Sequence, residues 1–349
     1  MSLAFDPYVT LAALIVGFTV GLTGMGGGAL MTPILVLLFG ITPSAAVSSD
    51  LVAAMIMKPI GSGVHIRRRT VRWELVRWLC VGSIPAAASG VFIIRALGNS
   101  EHVENTVKLM LGITLMLAAG AMVAKAWLQG RRTAALRASG TVVQPTKPLV
   151  VRPIPTIWVG VVGGLLVGLT SVGSGSIIIV CMMLLYPALR GAELVGTDLV
   201  QAVPLVTAAA VMHILFGDFE LGLTTSILVG SIPGVYVGAR MSAKAPDGVI
   251  RPALVFVLVA SALKLVGMPT ALLGVTLVAF AVIALPVWGA IDAAGHPEDQ
   301  WRAAGLSRAS WVRVQALGAP FVVGFAAAIA YFAKARPALE AVVVKTIRS

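Results

Sequence analysis

Two long stretches of this sequence contain no charged side chain, and each is too long for a single membrane crossing. They cover residues 7–49 and 153–189. As straight helices rising about 1.5 Å per residue they would extend about 64 and 56 Å, whereas the hydrocarbon core of a bilayer is about 30 Å thick. Each stretch must therefore break and turn, and each holds a glycine cluster where this can happen, at residues 24–28 and 173–175.

The composition places the rest of the chain in a membrane as well. Of its 349 residues, 58% are hydrophobic and only 11% are charged. A soluble globular domain carries about 25% charged residues, so this chain cannot cover itself with a solvated surface. The net charge of +12 lies in short gaps between apolar runs. That distribution is typical of cytoplasmic loops and excludes a nucleic-acid partner, and it leaves the lipid bilayer as the surroundings.

Further apolar segments are each close to the roughly 20 residues that one helical crossing needs. They lie at about 44–66, 75–95, 105–127, 194–216, 221–242, 249–267, 269–289 and 312–333. No signal peptide is expected, because a secretory leader has a positive region ahead of its apolar core and the first Lys or Arg is Lys58. The N-terminus is expected on the periplasmic side.

The two halves of the chain repeat one another. Residues 20–28 and 167–175 align with six of nine positions identical. At nearly the same offset the alignment continues with Asp50-Leu51-Val52 on Asp198-Leu199-Val200, His65 on His213, and Val-Gly-Ser-Ile-Pro at 81–85 on the same five residues at 229–233. Low complexity aligns glycines, but it does not align Asp, His and Pro together, so the sequence predicts an internal duplication. The shared Gly-Ser-Ile-Pro sequence is expected to form a turn.

Charge predicts that the two copies are inverted. The segment after the second helix is basic in the first copy, at residues 65–69, and acidic in the second, at residues 213–220. Because cytoplasmic loops collect Lys and Arg, these equivalent turns are expected on opposite sides of the membrane. A helical hairpin that enters and leaves on one face, followed by three full crossings, gives this inversion, whereas four crossings per copy would leave the copies parallel.

The predicted fold is therefore an all-α integral membrane protein built of two inverted-topology repeats. Each repeat is a glycine-broken helical hairpin followed by three transmembrane helices, and about two extra helices follow at the C-terminal end. The predicted divisions are repeat 1 at 1–127, a basic cytoplasmic linker at 128–153, the inverted repeat 2 at 154–268 and a C-terminal extension at 269–349.

The glycine breaks are the predicted substrate site. A helix that stops inside a bilayer leaves backbone polar groups without partners, and a helix N-terminus presents partial positive charge to an anion. Two such breaks related by a pseudo-two-fold axis would meet near the midplane, where inverted-repeat transporters bind substrate. The expected binding residues are Thr23, Gly24, Gly26, Gly27, Gly28, Thr170, Ser171, Gly173, Ser174, Gly175 and Ser176. The alternative is that the glycines only permit close helix packing.

The same residues carry a resemblance to a known family. The Gly-Leu-Thr-Gly-Met-Gly-Gly-Gly block at 21–28, its degenerate copy at 168–175 and the shared Gly-Ser-Ile-Pro sequence resemble the sulfite exporter TauE/SafE family of bacterial permeases. The resemblance covers about residues 8–268. It implies an inner-membrane carrier of small sulfur-containing anions such as sulfite or organosulfonates, with substrate held between the two hairpins. Export is preferred to uptake only because of this resemblance.

Two carboxylates occupy equivalent positions in the repeats. Asp50 and Asp198 follow Ser49 and Thr197 near the starts of the helices after each hairpin. One interpretation is that the carboxyl groups carry protons that move with the anion or in exchange for it. The other is that each carboxylate caps a helix N-terminus by accepting free backbone N–H groups. The sequence leaves both interpretations open.

Two further polar residues belong to the same apolar segments. Lys58 has no basic counterpart in the second copy. It is either a fixed positive charge that attracts an anion or a side chain that snorkels to the cytoplasmic interface, and the sequence favours snorkelling. Gln201, one turn after Asp198, either lines the same cavity or bonds to a neighbouring helix.

No catalytic chemistry is expected from this sequence. No nucleophile, base and orienting acid stand in a recognisable set, and no His, Cys and carboxylate cluster has ligand spacing, so neither an enzyme nor a metal or other cofactor is expected. His65 and His213 are expected to anchor helix ends at the interfaces. The expected function is alternating-access transport of a small anion, coupled to protons; an anion channel and an uptake permease for another anion are the alternatives. A homodimer is an open alternative to a monomer.

Overall fold

The computed structural model describes residues 6–23, 27–96, 101–138, 150–241, 247–296, 298–318, 322–339 and 341, and this part of the chain is all-helical. The helices are α1 Pro7–Thr23, α2 Gly28–Leu38, α3 Pro43–Arg67, α4 Trp73–Ala96, α5 Glu101–Ala138, α6 Pro153–Thr170, α7 Ile177–Leu185, α8 Gly191–Phe216, α9 Leu221–Met241, α10 Asp247–Leu265, α11 Thr270–Gly295, α12 Glu298–Ala303, α13 Arg308–Gly318 and α14 Val322–Ala330, which continues into a π-helical turn at Tyr331–Ala335. The predicted all-α class is confirmed.

Several of these helices are long and apolar enough to cross a membrane. Among the described residues these are Trp73–Ala96, Val103–Gln129, Pro153–Thr170, Gly191–Phe216 and Leu221–Gly238. The helix α3, with 25 residues, is also long enough at about 1.5 Å per residue, although it carries Asp50 and Lys58. The chain therefore has the helices of a multi-pass membrane protein.

Each long uncharged stretch is interrupted at its glycine cluster, as predicted. The helix α1 ends at Thr23 and α2 begins at Gly28, while α6 ends at Thr170 and α7 begins at Ile177. The two helices that follow the breaks have 11 and 9 residues. At about 1.5 Å per residue they extend about 16 and 14 Å, well short of the roughly 30 Å of a hydrocarbon core.

The helices α6 and α7 form a hairpin, and its two open ends are tied together by Tyr186. The phenol oxygen of Tyr186, just after α7, lies 2.6 Å from the hydroxyl of Thr156 in the first turn of α6. It also accepts a hydrogen bond from the backbone N–H of Arg152 at 2.9 Å. If α7 continued in the direction of α6, these groups would be about 45–50 Å apart. The chain therefore turns back at the second break.

Small residues let two helix pairs approach closely. A Cβ atom on Gly17 of α1 would lie 2.8 Å from the Cα atom of Ser231 in α9, and one on Gly164 of α6 would lie 2.7 Å from the Cα atom of Ser83 in α4. Each pair runs parallel, since successive residues of one helix face successive residues of the other. Ser83 and Ser231 both belong to Gly-Ser-Ile-Pro sequences, which lie inside helices α4 and α9. The expected turn at this sequence is therefore wrong: it is a packing surface.

The helices α3 and α8 run antiparallel beside each other. Near the start of α3 the hydroxyl of Ser48 lies 2.8 Å from Nδ1 of His213 near the end of α8. Just beyond the other end of α3, Arg72 forms a 2.7 Å ion pair with Glu193 in the first turn of α8. Side-chain contacts at both ends therefore fix the relative direction of the two helices.

Residues 1–122, 146–245 and 257–268 form one compact unit, and residues 123–145, 246–256 and 269–349 form a second. The second unit has its own buried core, in which the rings of Trp301 and Tyr331 stack 6.2 Å apart. The hydroxyl of Tyr331 donates to Asp292 at 2.8 Å. The predicted domain boundaries stay predictions. Part of the linker at 128–153 lies outside the described residues, and its described beginning continues α5 to Ala138.

Candidate functional site

The second break is a buried loop with strained backbone. Gly173 and Gly175 have φ angles of 133° and 90°, and Ser171, which follows the last residue of α6, has a φ of 58°. Only glycine adopts the first two values without a steric penalty, which explains the residue type at these positions. The six residues from Ser171 to Ser176 are all buried. This segment is a predicted site, and its left-handed backbone distinguishes it from a straight helix surface that only packs closely.

The two breaks contact each other. A Cβ atom on Gly28, the first residue of α2, would overlap the carbonyl oxygen of Ser171 and lie 2.7 Å from its hydroxyl oxygen. Gly27 lies in the short connection before α2. Gly24 and Gly26 fall outside the described residues, as does the side chain of Thr23. The described parts of both predicted breaks therefore lie side by side.

Asp50 binds directly to the second break. Its carboxylate accepts a hydrogen bond from the hydroxyl of Ser171 at 2.6 Å and a longer one from Thr32 of α2 at 3.3 Å. Asp50 is only 4% exposed. One carboxylate thus joins the helix after the first hairpin, α3, to the break of the second hairpin. A short O–H···O⁻ bond of this kind is about twice as strong as a neutral one.

The structure corrects the helix-capping alternative. Asp50 is the eighth residue of α3, which begins at Pro43, and Asp198 is the eighth residue of α8, which begins at Gly191. Unpaired N–H groups occur only in the first turn of a helix, so carboxylates two turns inside cannot cap it. The neighbouring hydroxyls bind other segments of the chain. The hydroxyl of Ser49 accepts from the backbone N–H of Glu220, just before α9, at 3.4 Å. The hydroxyl of Thr197 accepts from the backbone N–H of Arg72, just before α4, at 3.1 Å.

Lys58 reaches the same break from two turns further along α3. Its ammonium nitrogen donates to the hydroxyl of Ser174 at 2.6 Å. The favoured expectation that Lys58 snorkels to the interface is therefore wrong. The ammonium also interacts electrostatically with the carboxylates of Asp50 and Asp198. A positive and a negative group from α3 thus hold two serines of one break.

A cavity of about 380 Å³ joins the first break, Asp50 and Lys58 to the basic end of α3. Its walls come from α1, α3 and α9, and its lining includes Gly21, Gly27, Asp50, Lys58, Ser231, His65 and Arg68. Asp50 and Arg68 are 18 positions apart on α3 and its end, or about 27 Å at the helical rise. The cavity therefore runs from the break to the basic turn at 67–69.

Some predicted residues do not line this cavity. Asp198 is 3% exposed, and Gln201 is fully buried with its side-chain oxygen accepting from Ser83 at 3.1 Å. The hydroxyl of Thr170 donates at 2.6 Å to the carbonyl of Leu166 in its own helix. Ser176 holds the N-cap position just before α7 and is buried, but its hydroxyl makes no capping hydrogen bond to that helix. Within the described residues no group of three His, Cys, Asp or Glu side chains could hold a metal ion.

Two residues near the cavities were not predicted from sequence. Ser231 lines the 380 Å³ cavity and lies 3.2 Å from the sulfur of Met57. Its place in the repeated Gly-Ser-Ile-Pro sequence was the signal that could have identified it. His213 is 1% exposed and binds both Ser48 and the carbonyl of Gly168, so the expected interface-anchoring role is wrong for this histidine.

A second cavity of about 650 Å³ lies at the other end of α3. It is bounded by the ends of α4 and α8 and the starts of α3 and α5, and its lining includes Ser44, Ser48, Arg95, Glu104, His213 and Asp218. The two cavities share no lining residue among those described. Ser48 lines one and Asp50 the other, so only about 3 Å of helix rise separates them on α3.

Comparisons with known proteins agree with this architecture. The model of the sulfite exporter TauE/SafE family matches residues 9–265. The chain is 38% identical over 259 residues to the probable membrane transporter protein YjnA of Bacillus subtilis, which covers 74% of this chain and 98% of that protein. It is 26% identical over 247 residues to the probable membrane transporter protein YdhB of the same organism, covering 70% of this chain and 94% of that protein. No solved structure matches the chain significantly.

Proposed function

This chain belongs to the sulfite exporter TauE/SafE family, and on that premise we propose that it is a secondary transporter that exports small sulfur-containing anions, such as sulfite or organosulfonates, by alternating access coupled to protons. Membership of the family makes it a multi-pass membrane transporter and not an enzyme. The substrate class and the direction of transport follow the name of the family.

The observation that carries the proposal is the cavity that leads from the basic end of α3 to the first break, Asp50 and Lys58. An anion that enters it meets Arg68 near the mouth and Lys58 at the depth of the breaks. Ser171 and Ser174 do not line the cavity but bind Asp50 and Lys58, so their hydroxyls would become neutral donors to an anion once it replaces these bonds. An anion bound by one fixed cation and several neutral donors is the occupant that this chemistry suits best.

The packing of the helices supports two inverted repeats. The helices α3 and α8 occupy equivalent places in the duplicated sequence and lie antiparallel, as an axis in the membrane plane requires. The pairing of α1 with α9 is matched by that of α6 with α4, down to equivalent glycines on equivalent serines. Each break would then form the tip of a hairpin that enters and leaves on one face.

The charges support an orientation with the 380 Å³ cavity open to the cytoplasm of a bacterial inner membrane. Arg67, Arg68 and Arg69 end α3 at the mouth of this cavity, and the basic linker precedes α6 on the same side. The opposite side carries Glu104 and Asp218. This orientation puts the N-terminus in the periplasm. A cavity that loads from the cytoplasm favours export.

Asp50 supplies the proposed proton coupling. While its carboxylate is ionised, it holds Ser171 and partly neutralises the field of Lys58. Protonation would remove that negative charge and leave the ammonium free to attract an anion. Anion and proton would then occupy the site together and leave it together, so export occurs while the outward gradient of the anion exceeds the inward gradient of protons.

A channel is the alternative that shares this chemistry. It needs a continuous path, whereas the two cavities share no lining residue among those described. The carrier is therefore favoured. A homodimer stays an open alternative to a monomeric carrier, as the sequence leaves it.

The test is anion flux into proteoliposomes that contain the purified protein. Sulfite, sulfate, thiosulfate, sulfoacetate and a carboxylate are compared with and without a pH gradient. We expect uphill movement of a sulfur-containing monoanion that the gradient drives. Flux of every anion that no gradient can drive uphill would contradict the carrier and favour the channel.

Variants of the two carboxylates test the coupling. Asp50→Asn should abolish pH-driven transport and keep anion exchange. The amide of asparagine cannot bind or release a proton, while Lys58 still attracts the anion. Asp198→Asn changes the equivalent carboxylate, which also interacts with Lys58 but does not line the cavity; pH-driven transport that is lost in Asp50→Asn and kept in Asp198→Asn would assign the proton to Asp50. Full pH-driven transport by Asp50→Asn would exclude Asp50 as the proton carrier.

A further inference from the structure

The open cavity has a closed counterpart. The duplication pairs Gly61, Val235 and Ser231, which line the cavity, with Ala209, Ala87 and Ser83. These three counterparts are all fully buried at 0% exposure. The same kind of surface is thus open between α1, α3 and α9 and packed shut between α6, α8 and α4.

The closed surface ends at His213. Its Nε2 atom lies 2.9 Å from the carbonyl of Gly168 in α6, and its Nδ1 atom lies 2.8 Å from the hydroxyl of Ser48 in α3. Because a carbonyl only accepts, Nε2 donates, and the neutral ring then accepts the Ser48 hydroxyl at Nδ1. One side chain of α8 therefore ties two other helices together.

The equivalent histidine on the open side makes no such tie. His65 is half-buried and lines the 380 Å³ cavity. Its Nδ1 atom lies 3.0 Å from the hydroxyl of Thr70, which is only five residues further along the sequence. The residue at the place of Ser48 is Gly196, which has no side chain to bind it. The two halves thus differ where one is open and the other closed.

A cavity borders the far side of His213, although the residue itself is only 1% exposed. This residue lines the 650 Å³ cavity together with Ser48. Ala209 lies one helical turn deeper in α8, about 6 Å along the axis. Two turns beyond Ala209, the side-chain nitrogen of Gln201 is buried and finds no acceptor among the described residues. A donor left without a partner in a buried place is costly and points to an occupant absent from this conformation.

We propose that the outer half of the transport pathway runs between α4, α6 and α8, past Ala209 to Gln201, and that His213 is the latch that keeps it closed in this conformation. Opening breaks its bonds to Ser48 and Gly168, joins the 650 Å³ cavity to the breaks and exposes the Gln201 amide to the anion. The inference rests on the proposed alternating access and adds the route and its gate.

The test is the reactivity of single cysteines in the full-length protein. In a background with Cys80→Ser and Cys181→Ser, the variants Ala209→Cys and Gly61→Cys are treated with a membrane-impermeant maleimide from either side of the membrane. Ala209→Cys should react from the periplasmic side during transport, and Gly61→Cys from the cytoplasmic side. The control Ala119→Cys, buried in α5 and lining neither cavity, should react from neither.

The latch is tested by adding His213→Ala. Losing its two hydrogen bonds should raise the periplasmic labelling rate of Ala209→Cys at least about tenfold. The matched change His65→Ala should leave that rate unchanged. If Ala209→Cys does not fold, Ala87→Cys on the facing helix α4 takes its place.

Three outcomes would overturn the inference. The first is that neither Ala209→Cys nor Ala87→Cys is labelled from the periplasm while Gly61→Cys reacts, and the second is that they are labelled only from the cytoplasm. The third is that His213→Ala leaves the periplasmic labelling rate unchanged. Labelling does not depend on which anion is carried. Failure to move any sulfur-containing anion, with labelling as expected, would therefore overturn the proposed substrate and not this pathway. Gradient-driven anion flux with unreactive cysteines would overturn this pathway and not the proposed substrate.

Discussion

Replacing Gly28 by alanine should separate the two breaks. A Cβ atom on Gly28 would overlap the carbonyl oxygen of Ser171 and lie 2.8 Å from its carbonyl carbon. Both are backbone atoms, so no side-chain rotation relieves the overlap. The backbone of one break must move, and the 2.6 Å bond from Ser171 to Asp50 moves with it.

The cost follows from the two interactions that are disturbed. Forcing an extra carbon into a packed site costs about 1–3 kcal/mol. Losing a hydrogen bond to a charged group costs about 1.5–3 kcal/mol, and better helix propensity returns at most about 1 kcal/mol. Gly28→Ala should therefore lower the free energy of unfolding by about 1.5–5 kcal/mol. A change of this size in the site should also lower anion affinity at least about tenfold.

The matched control is the adjacent residue. A Cβ atom on Gly27 would meet only a methyl group of Val20 at 3.9 Å, an ordinary contact. Gly27→Ala should stay within about 1 kcal/mol of the unsubstituted protein. Thermal unfolding in detergent measures stability, and flux in proteoliposomes measures affinity. Equal behaviour of the two variants in both assays would refute the contact between the breaks.

Further predictions rest on single contacts elsewhere in the first unit. Lys58→Met should weaken anion binding in an equilibrium assay about tenfold or more while Lys58→Arg keeps most of it, because only the charge is essential; equal affinities would exclude the ammonium from the site. Tyr186→Phe should destabilise the protein by about 1–3 kcal/mol in thermal unfolding, since the hairpin loses the bonds at its open ends; an unchanged midpoint would contradict the tie. Gly17→Ala and Gly164→Ala should each cost about 1–3 kcal/mol, whereas Gly61→Ala, which meets nothing, should cost little; unequal losses in the first two would argue against equivalent packing.

The breaks could be predicted because they follow from length alone. A run of uncharged residues that is twice as long as the bilayer is thick has to turn, and glycine is the residue that permits it. The structure ends α1 and α6 within one or a few residues of the predicted clusters. Physical dimensions and residue type therefore fix this part of the fold without any tertiary contact.

The capping alternative for Asp50 was left open although the sequence holds the signal that excludes it. Thr42 and Pro43 form a typical helix start, with a hydroxyl residue at the N-cap position and proline at the first helical position. Applied to this segment, that rule begins α3 at Pro43 and excludes capping by Asp50. The apolar segment predicted at about 44–66 also begins within one residue of Pro43 and places Asp50 at its seventh position, which is too far inside for a cap.

The role of Lys58 could not be predicted, since it depends on a contact across 116 residues of sequence. Snorkelling is decided by the distance to the headgroups and by the absence of a closer partner. The closer partner is Ser174, in the other repeat. Neither hydrophobic periodicity nor the duplication carries information about which break a side chain of α3 will reach.

The asymmetry of the charges limits how far the duplication can describe the mechanism. Both described hydrogen bonds between charged groups of α3 and the breaks go to the second break, through Ser171 and Ser174. In α8 the position equivalent to Lys58 is Val206, which is buried. In the proposed mechanism the equivalent helices would provide two half-pathways, while the cation that would hold the anion belongs to α3 only. An anion held by Lys58 would stay on α3 whichever side opens, so a single cation could serve both conformations.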